Sequence, residues 1–178
     1  MDRSIHRLIL LRHAKSDWPV GVADHDRPLN GRGRRAAPLI GTAMAARGYG
    51  PDRALVSTAR RTRETWSLVR AAAPGLPEGI EEPRLYHASP AMLMAVIGQT
   101  PETVGTLVLV GHNPGFETLA GQLIAKGLAA DRQRVAAKYP TGGLAVIDCD
   151  IAAWCDIAAK CGTLVAFVCP RDLDGETE

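Results

Sequence analysis

The 178-residue chain has the size and composition of a single globular domain, which we place over residues 1–178. Its net charge is only +2 and its acidic and basic residues are interspersed, so composition gives no case for bulk electrostatic binding to nucleic acid or to a membrane. The N-terminus has no signal-peptide pattern, and no apolar run approaches the roughly 18 residues that a membrane span needs. We therefore expect a soluble, cytoplasmic protein.

The four cysteines all lie in the last third of the chain, at Cys149, Cys155, Cys161 and Cys169. None belongs to a CxxC pair, and none has a histidine at zinc-finger spacing. Because disulfides are rare in the cytosol, we predict free thiols.

The first half of the chain predicts a strand and a helix, twice in succession. The unbroken apolar run at residues 8–11 is typical of a central strand covered on both faces. After a loop over residues 16–33, apolar positions recur at helical spacing from 36 to 44, until Gly48 stops them.

A second strand at residues 54–56 ends at Ser57 and Thr58, which we expect to cap a helix running toward Pro74. Further on, residues 89–90 begin another helix, and residues 106–110 form the clearest buried strand.

Asn113 is the expected N-cap, and Pro114 the first helical residue, of a helix that runs to about Lys126. The apolar runs at 144–147 and 164–168 predict two strands that form a hairpin at one end of the sheet.

Strands that alternate with helices predict a three-layer α/β/α sandwich, with a mostly parallel central sheet and helices on both faces. In this architecture ligands bind beyond the carboxyl ends of the strands. The residues that directly follow each strand are therefore the candidates for a functional site.

Two histidines and two arginines follow three of these strands. Arg12 and His13 follow the first strand, Arg61 lies just after the second, and His112 follows the strand at 106–110. Guanidinium groups match pairs of phosphate oxygens, and an unprotonated imidazole can attack phosphorus and form a phosphoenzyme. Neither a GxxxxGK[ST] loop nor a cysteine followed six residues later by arginine is present, so the grouping predicts a phosphate site of another kind.

At these residues the sequence resembles the histidine phosphatase superfamily, and more closely its SixA-like phosphohistidine phosphatase branch. The first matching segment reads Leu-Leu-Arg-His-Ala-Lys-Ser-Asp-Trp at residues 10–18. Further segments match in the same order at residues 24–30, 57–65, 85–86, 110–115 and 139–143.

The resemblance implies a phosphatase that needs no cofactor and no metal. His13 would be the nucleophile, and Arg12, Arg61 and His112 would complete the phosphate pocket. We choose Arg61 rather than Arg60 because the family's arginine comes four positions after the serine that is Ser57 here. The implied substrate is a phosphohistidine in a protein or a small phosphorylated molecule.

Two departures from the wider superfamily bear on the substrate. Ala14 and Lys15 replace the glycine and the Glu or Gln that often follow the catalytic histidine, which is typical of the SixA-like branch. The stretch at residues 84–88, where many ester phosphatases carry an acidic proton donor, has no carboxylate. His87 is a possible general acid because imidazole titrates near neutral pH, although the simpler interpretation is an exposed loop residue. Glu81 and Glu82 are nearby alternatives.

Five further residues are candidate substrate contacts: Ser16, Arg27, Tyr86, Asn113 and Thr141. Each has an ordinary structural interpretation, as a turn, cap or packing residue. The short connection between the second strand and the strand at 106–110 predicts a shallow, open site.

Three other functions compete with this one. The first is a broad small-molecule phosphomonoesterase, and the second is a regulatory domain that binds phosphate without catalysis. The third is a nucleic-acid-binding module, disfavoured because no aromatic stacking partners accompany its arginines. These arginines are Arg32, Arg34, Arg35, Arg60, Arg61 and Arg63.

Overall fold

The computed structural model describes residues 5–174 and contains one seven-stranded sheet, with strand order β3-β2-β4-β1-β6-β7-β5. The strands are β1 (Ile5–Arg12), β2 (Arg53–Val56), β3 (Gly79–Glu81), β4 (Thr106–Gly111), β5 (Ile124–Gly127), β6 (Leu144–Asp150) and β7 (Gly162–Val168). The helices are α1 (Gly31–Ala46), α2 (Arg60–Ala72), α3 (Pro90–Gly98), α4 (Gly115–Leu123), α5 (Ala129–Ala137) and α6 (Pro170–Leu173). Only β6 runs against its neighbours, so the sheet is mostly parallel as predicted.

Alternate residues of β1 enter two separate cores. Leu8 and Leu10 pack with the apolar residues of α3, α4 and α5 on one face, whereas Ile9 and Leu11 pack with those of α1, α2 and α6 on the other. Burying a Leu or Ile side chain contributes about 1.5–3 kcal/mol, which explains why this strand carries no polar residue between 8 and 11. The three-layer α/β/α prediction is confirmed.

The predicted hairpin of β6 and β7 is present, but it does not end the sheet. The edge beyond β7 is β5, over residues that we predicted to continue the preceding helix to Lys126. That helix ends at Leu123 instead, and the chain turns into a short strand closed by Gly127. Gly127 has a φ of +129°, and a Cβ there would lie 2.6 Å from the Leu164 carbonyl oxygen, so glycine allows the close approach of the two strands.

Three helix starts differ from the predictions. Helix α1 begins at Gly31, inside the predicted loop, because the Asn30 side chain accepts a hydrogen bond from the Gly33 N–H. Helix α2 follows Ala59 without a side-chain cap, since the Ser57 hydroxyl contacts His112 instead.

Helix α4 begins at Gly115 after Pro114, so Asn113 is not its N-cap. Its side chain is held elsewhere, by Glu117 and the Tyr139 carbonyl. By contrast, α3 begins as predicted, with Ser89 as a side-chain N-cap and Pro90 in the first turn.

All four cysteines are free thiols, as predicted. Cys149 and Cys169 are buried, Cys161 is half-buried and Cys155 is exposed. Among residues 5–174, no helix is long and apolar enough to cross a membrane.

Candidate active site

The carboxyl ends of three neighbouring strands, β2, β4 and β1, meet at one edge of the sheet. In the pairing of β1 with β4, Arg12 lies opposite Gly111, and the alignment of the two backbones continues past the strand ends. The His13 N–H donates to the Gly111 carbonyl at 3.0 Å, and the Ser57 N–H donates to the Val110 carbonyl at 3.0 Å. The structure therefore brings the predicted strand-end residues side by side.

His13 and His112 face each other at this edge. Their ring centroids are 5.3 Å apart, and the side chains are buried, with 7% of His13 and 5% of His112 exposed. Nδ1 of His13 lies 2.8 Å from the Ala14 carbonyl oxygen, which can only accept a hydrogen bond. Nδ1 therefore carries the proton, and the lone pair on Nε2 is left available for a new bond.

Both imidazoles are held in the neutral form. Burial, reinforced by the positive charges of Arg61 and Arg12, lowers the pKa of His13 to about 3, although the hydrogen bond to Ala14 opposes the shift. Burial, followed by the effects of His13 and Arg61, lowers the pKa of His112 to about 2.

Arg61 is the arginine of α2 that faces the site. Only 3% of Arg61 is exposed, and its Nη2 donates to Asp24 Oδ2 at 3.1 Å and to His112 Nδ1 at 3.4 Å. Arg60 is exposed and pairs with Glu64 at 2.8 Å. Of these two arginines, Arg61 is the one whose side chain lies at the site, and its role in binding phosphate stays a prediction.

Two buried guanidinium donors at this edge have no acceptor within the part of the chain that the structure describes. Arg12 uses its Nη1 to donate to the Tyr139 carbonyl at 2.7 Å, but its Nε is buried without a hydrogen-bond partner. The Nε of Arg61 is buried and unpartnered as well. A buried unsatisfied donor costs about 1–3 kcal/mol, and phosphate oxygens are acceptors that would remove this cost.

Ser57 is a site residue that sequence reasoning assigned only to a helix cap. Its buried hydroxyl lies 2.8 Å from Nε2 of His112. Because an arginine only donates, Nδ1 of His112 accepts from Arg61, so Nε2 carries the proton and donates to Ser57. The position of Ser57 directly after β2, at the edge where the other site residues lie, was the signal that could have identified it.

Asp24 is a second contact that the sequence did not single out. Its carboxylate accepts hydrogen bonds from Arg27 at 2.8 Å, Arg61 at 3.1 Å and Tyr86 at 2.7 Å. Burial opposes ionisation, but the bonds from Tyr86 and Arg27 and the charge of Arg61 outweigh it and hold the pKa of Asp24 below its usual range. Asp24 is thus an ionised acceptor that orients the arginines.

Ser16 and Arg27 form one buried unit beside Asp24. Nη2 of Arg27 donates to the Ser16 hydroxyl at 2.6 Å, and its Nε donates to the Asp17 carbonyl at 2.8 Å. The exposed Trp18 ring stacks on the Arg27 guanidinium, with 3.2 Å between Cζ and the ring centroid. Most of the Arg27 donors are therefore already used inside the protein, and direct substrate contact by Ser16 and Arg27 stays a prediction.

Tyr86 and His87 approach the site from the loop before α3. The Tyr86 ring lies 5.5 Å from the His112 ring, and Nε2 of His87 lies 3.3 Å from Asp24 Oδ2. The His87 side chain is 61% exposed, so solvent reaches its ring.

The two glutamates proposed as alternatives to His87 point elsewhere. Glu81 pairs with Arg63 at 3.5 Å, and Glu82 pairs with Arg84 at 2.8 Å. His87 is therefore the member of this group that the structure places at the site, and its role as general acid stays a prediction.

Asn113 and Thr141 lie on the other side of Arg12. The amide nitrogen of Asn113 donates to Glu117 at 2.9 Å and to the Tyr139 carbonyl at 3.1 Å, so it is tied to the protein. Thr141 precedes Gly142, whose N–H lies within hydrogen-bonding distance of the Arg12 and His13 carbonyls. Neither residue is shown to bind a substrate.

Four of the six arginines considered for nucleic-acid binding are engaged within the protein, among them Arg63, which pairs with Glu81. Arg34 and Arg60 both pair with Glu64, and Arg61 is buried in the site. Within residues 5–174, no cluster of three or more His, Cys, Asp or Glu side chains has an arrangement that could hold a metal ion.

Comparison with known proteins agrees with this geometry. Residues 8–86 match the model of the histidine phosphatase superfamily (branch 1). An uncharacterized protein of Mycobacterium tuberculosis is 40% identical over 163 residues, which cover 90% of this chain and all of the relative.

Two solved structures carry the provisional name phosphohistidine phosphatase SixA. The one from Agrobacterium tumefaciens is 33% identical, covers 93% of this chain and 98% of its own, and has a TM-score of 0.75. The one from Nakamurella multipartitia is 27% identical, covers 95% of this chain and 99% of its own, and has a TM-score of 0.80. The chain therefore belongs to the histidine phosphatase superfamily, within its SixA-like branch.

Proposed function

We propose that this protein is a phosphatase that hydrolyses phosphohistidine through a covalent phosphohistidine intermediate on His13. The observation that carries the proposal is a buried, neutral imidazole whose Nε2 lone pair is available, beside two guanidinium groups whose Nε–H donors have no acceptor among residues 5–174. A neutral imidazole is the nucleophilic form, and preorganised donors stabilise charge on the phosphoryl oxygens.

The reaction divides into two displacements. In the first, the Nε2 lone pair of His13 forms a bond to phosphorus while the bond from phosphorus to the substrate nitrogen breaks. The bonding pair returns to the substrate imidazole, which takes a proton from solvent or from His87. In the second, water attacks phosphorus, the bond to Nε2 breaks, inorganic phosphate leaves and the proton of the water passes to solvent.

The substrate assignment rests on the weakness of the available acids. The carboxyl that contacts Arg61, Asp24, is ionised because its pKa lies below the usual range, so it has no proton to give. An alkoxide leaving group needs such a proton, whereas imidazole is a far weaker base and needs less assistance. The SixA names of the structural relatives agree with a phosphohistidine substrate. Arg12 and Arg61 supply positive charge, so the proposed steps use no metal ion.

The test compares two substrates in the presence of EDTA: phosphohistidine in a phosphocarrier protein, and p-nitrophenyl phosphate. It uses the wild-type protein, His13→Ala and His112→Ala. We expect rapid loss of phosphohistidine in the wild type and none above background in His13→Ala. After rapid quenching in alkali, which preserves phosphohistidine, radiolabelled phosphate should be attached to the wild type and to His112→Ala but not to His13→Ala.

Other results would replace the proposal. Turnover of the ester alone would identify a small-molecule phosphomonoesterase. Absence of His13-dependent turnover with both substrates would indicate a phosphate-binding domain, and loss of activity in EDTA that returns with a divalent cation would contradict the metal-free scheme.

A further inference from the structure

A groove of about 590 Å³ lies beside the phosphate pocket, and apart from Arg12 its lining residues take no part in the chemistry described above. Its floor is apolar and includes Phe167, Cys169 and Pro170. Six cationic side chains line it: Arg12, Lys15, Arg32, Arg134, Lys138 and Arg171. The volume lies within the roughly 300–1,000 Å³ of typical small-ligand sites.

The charge of this groove is segregated from that of the rest of the chain. No lining residue is acidic, although the chain as a whole carries a net charge of only +2. With 21 Lys and Arg against 19 Asp and Glu in total, the six lining cations leave fifteen basic against nineteen acidic residues elsewhere. This local concentration of positive charge attracts anions to the groove.

Three of the six cations are already engaged, since Arg12 belongs to the phosphate pocket and Arg134 and Arg171 both pair with Asp172, whereas the other three form a rim. Arg134 is anchored by Asp172, by Asp131 at 3.4 Å and by the Phe167 carbonyl at 3.3 Å, so its charge is largely compensated. The side chains of Lys15, Arg32 and Lys138 are exposed, and within residues 5–174 none of them pairs with a carboxylate. The rim therefore offers positive charge that no described group neutralises.

The groove is continuous with the phosphate pocket through Arg12. This residue ends β1 directly before His13, and its side chain also lines the groove. The other lining residues come from the loop after β1, from α1, from α5 and the loop that follows it, and from the end of β7 and the start of α6. Strand β7 lies on the side of β1 away from His112. A molecule with a phosphoryl group at His13 can thus extend along the same edge of the sheet.

We propose that this groove binds a second anionic group of the substrate, with the apolar part next to that group resting on the Phe167 and Pro170 floor. The inference deepens the proposed function and rests on the phosphoryl group being bound at His13. The chemistry is that of a phosphate or carboxylate attached to an apolar segment. Its source is either an acidic residue near a phosphohistidine in a protein or a second phosphate in a small molecule.

Equilibrium binding tests the groove without requiring turnover. The probes are 1,6-hexanediol bisphosphate and hexyl phosphate, titrated calorimetrically into His13→Ala. After correction for its two equivalent phosphates, we expect the bisphosphate to bind roughly tenfold more tightly than hexyl phosphate. A gain of this size is what two or three charge-assisted contacts at an exposed rim provide. The double variant Arg32→Gln/Lys138→Gln, made in the same background, should bring this ratio close to one.

The matched control is Arg132→Gln, an exposed arginine on α5 that does not line the groove. It should keep the full preference for the bisphosphate, since only the bulk charge changes. Equal binding of the two probes to the parent protein, or equal loss of preference in the control and the double variant, would overturn the proposal.

Turnover of phosphohistidine peptides then distinguishes the two sources. A preference for Glu over Gln neighbours that disappears in Arg32→Gln/Lys138→Gln would identify an acidic protein segment, and a preference confined to the bisphosphate would identify a small molecule. If the bisphosphate binds preferentially but His13-dependent turnover is absent, the proposed function fails while the groove assignment stands.

Discussion

Replacing Ser57 by alanine should damage catalysis by disorienting His112. The neutral His112 donates from Nε2 to the Ser57 hydroxyl at 2.8 Å, and the serine is fully buried, so water does not readily replace it. An unsatisfied buried donor costs about 1–3 kcal/mol. If that cost is borne in the transition state, kcat/KM falls by about 5-fold to 150-fold.

The assay is steady-state turnover of phosphohistidine and of p-nitrophenyl phosphate by Ser57→Ala, with thermal unfolding measured in parallel. Ser67→Ala, on the exposed side of α2, makes the same chemical change away from the site and should leave both quantities unchanged. A purely structural role would lower the melting temperature and leave kcat intact in the folded fraction. Values of kcat/KM within twofold of wild type, with an unchanged His112 ring resonance, would refute the reasoning.

Four further predictions follow from the packing and charge of the site. Arg61→Lys should lower kcat/KM by about 10²–10³-fold because it removes the planar fork from the phosphate, whereas Arg60→Lys should change it less than twofold. Gly33→Ala should destabilise the fold and reduce activity, since the new Cβ would lie 2.1 Å from the Lys15 carbonyl oxygen. The control is Gly121→Ala, whose Cβ would have no heavy atom within 4 Å, and it should change neither quantity. Denaturant unfolding measures the difference in stability. In NMR titration the ring resonances of both site imidazoles should have midpoints below about 4, because burial lowers each pKa; midpoints near 6.5 would contradict this. The pKa values of His13 and His112 are lower in the folded protein than in the unfolded chain, so the unfolded chain binds protons more readily. The free energy of unfolding should therefore fall as the pH drops from about 6.5 toward 3.

Buried helices and strands were easier to predict from the sequence than exposed ones. Strands β1 and β4 are continuous apolar runs because both faces are covered, and a short run of this kind is typical of a central strand. Strands β3 and β5 have three and four residues and lie at the edges of the sheet. Edge strands of this length are stabilised by pairing with a neighbour rather than by their own pattern, so the sequence did not reveal them. Helix α5 was missed as well, since only Val135 in it is buried.

The chemistry of the site was largely determined by residue order along the chain. Arg12 ends a strand, and His13, Arg61 and His112 each come shortly after one. Parallel strands deliver the residues at their carboxyl ends to one edge. Only the tertiary structure decided how these side chains are held. Asp24 reaches the site from a loop, and Ser57 turns toward His112 instead of capping α2, because buried polar groups take the nearest partner that satisfies them. The same is true of the cationic groove, whose residues are separated by more than a hundred positions in the chain and meet only where α1, α5 and the ends of β1 and β7 converge.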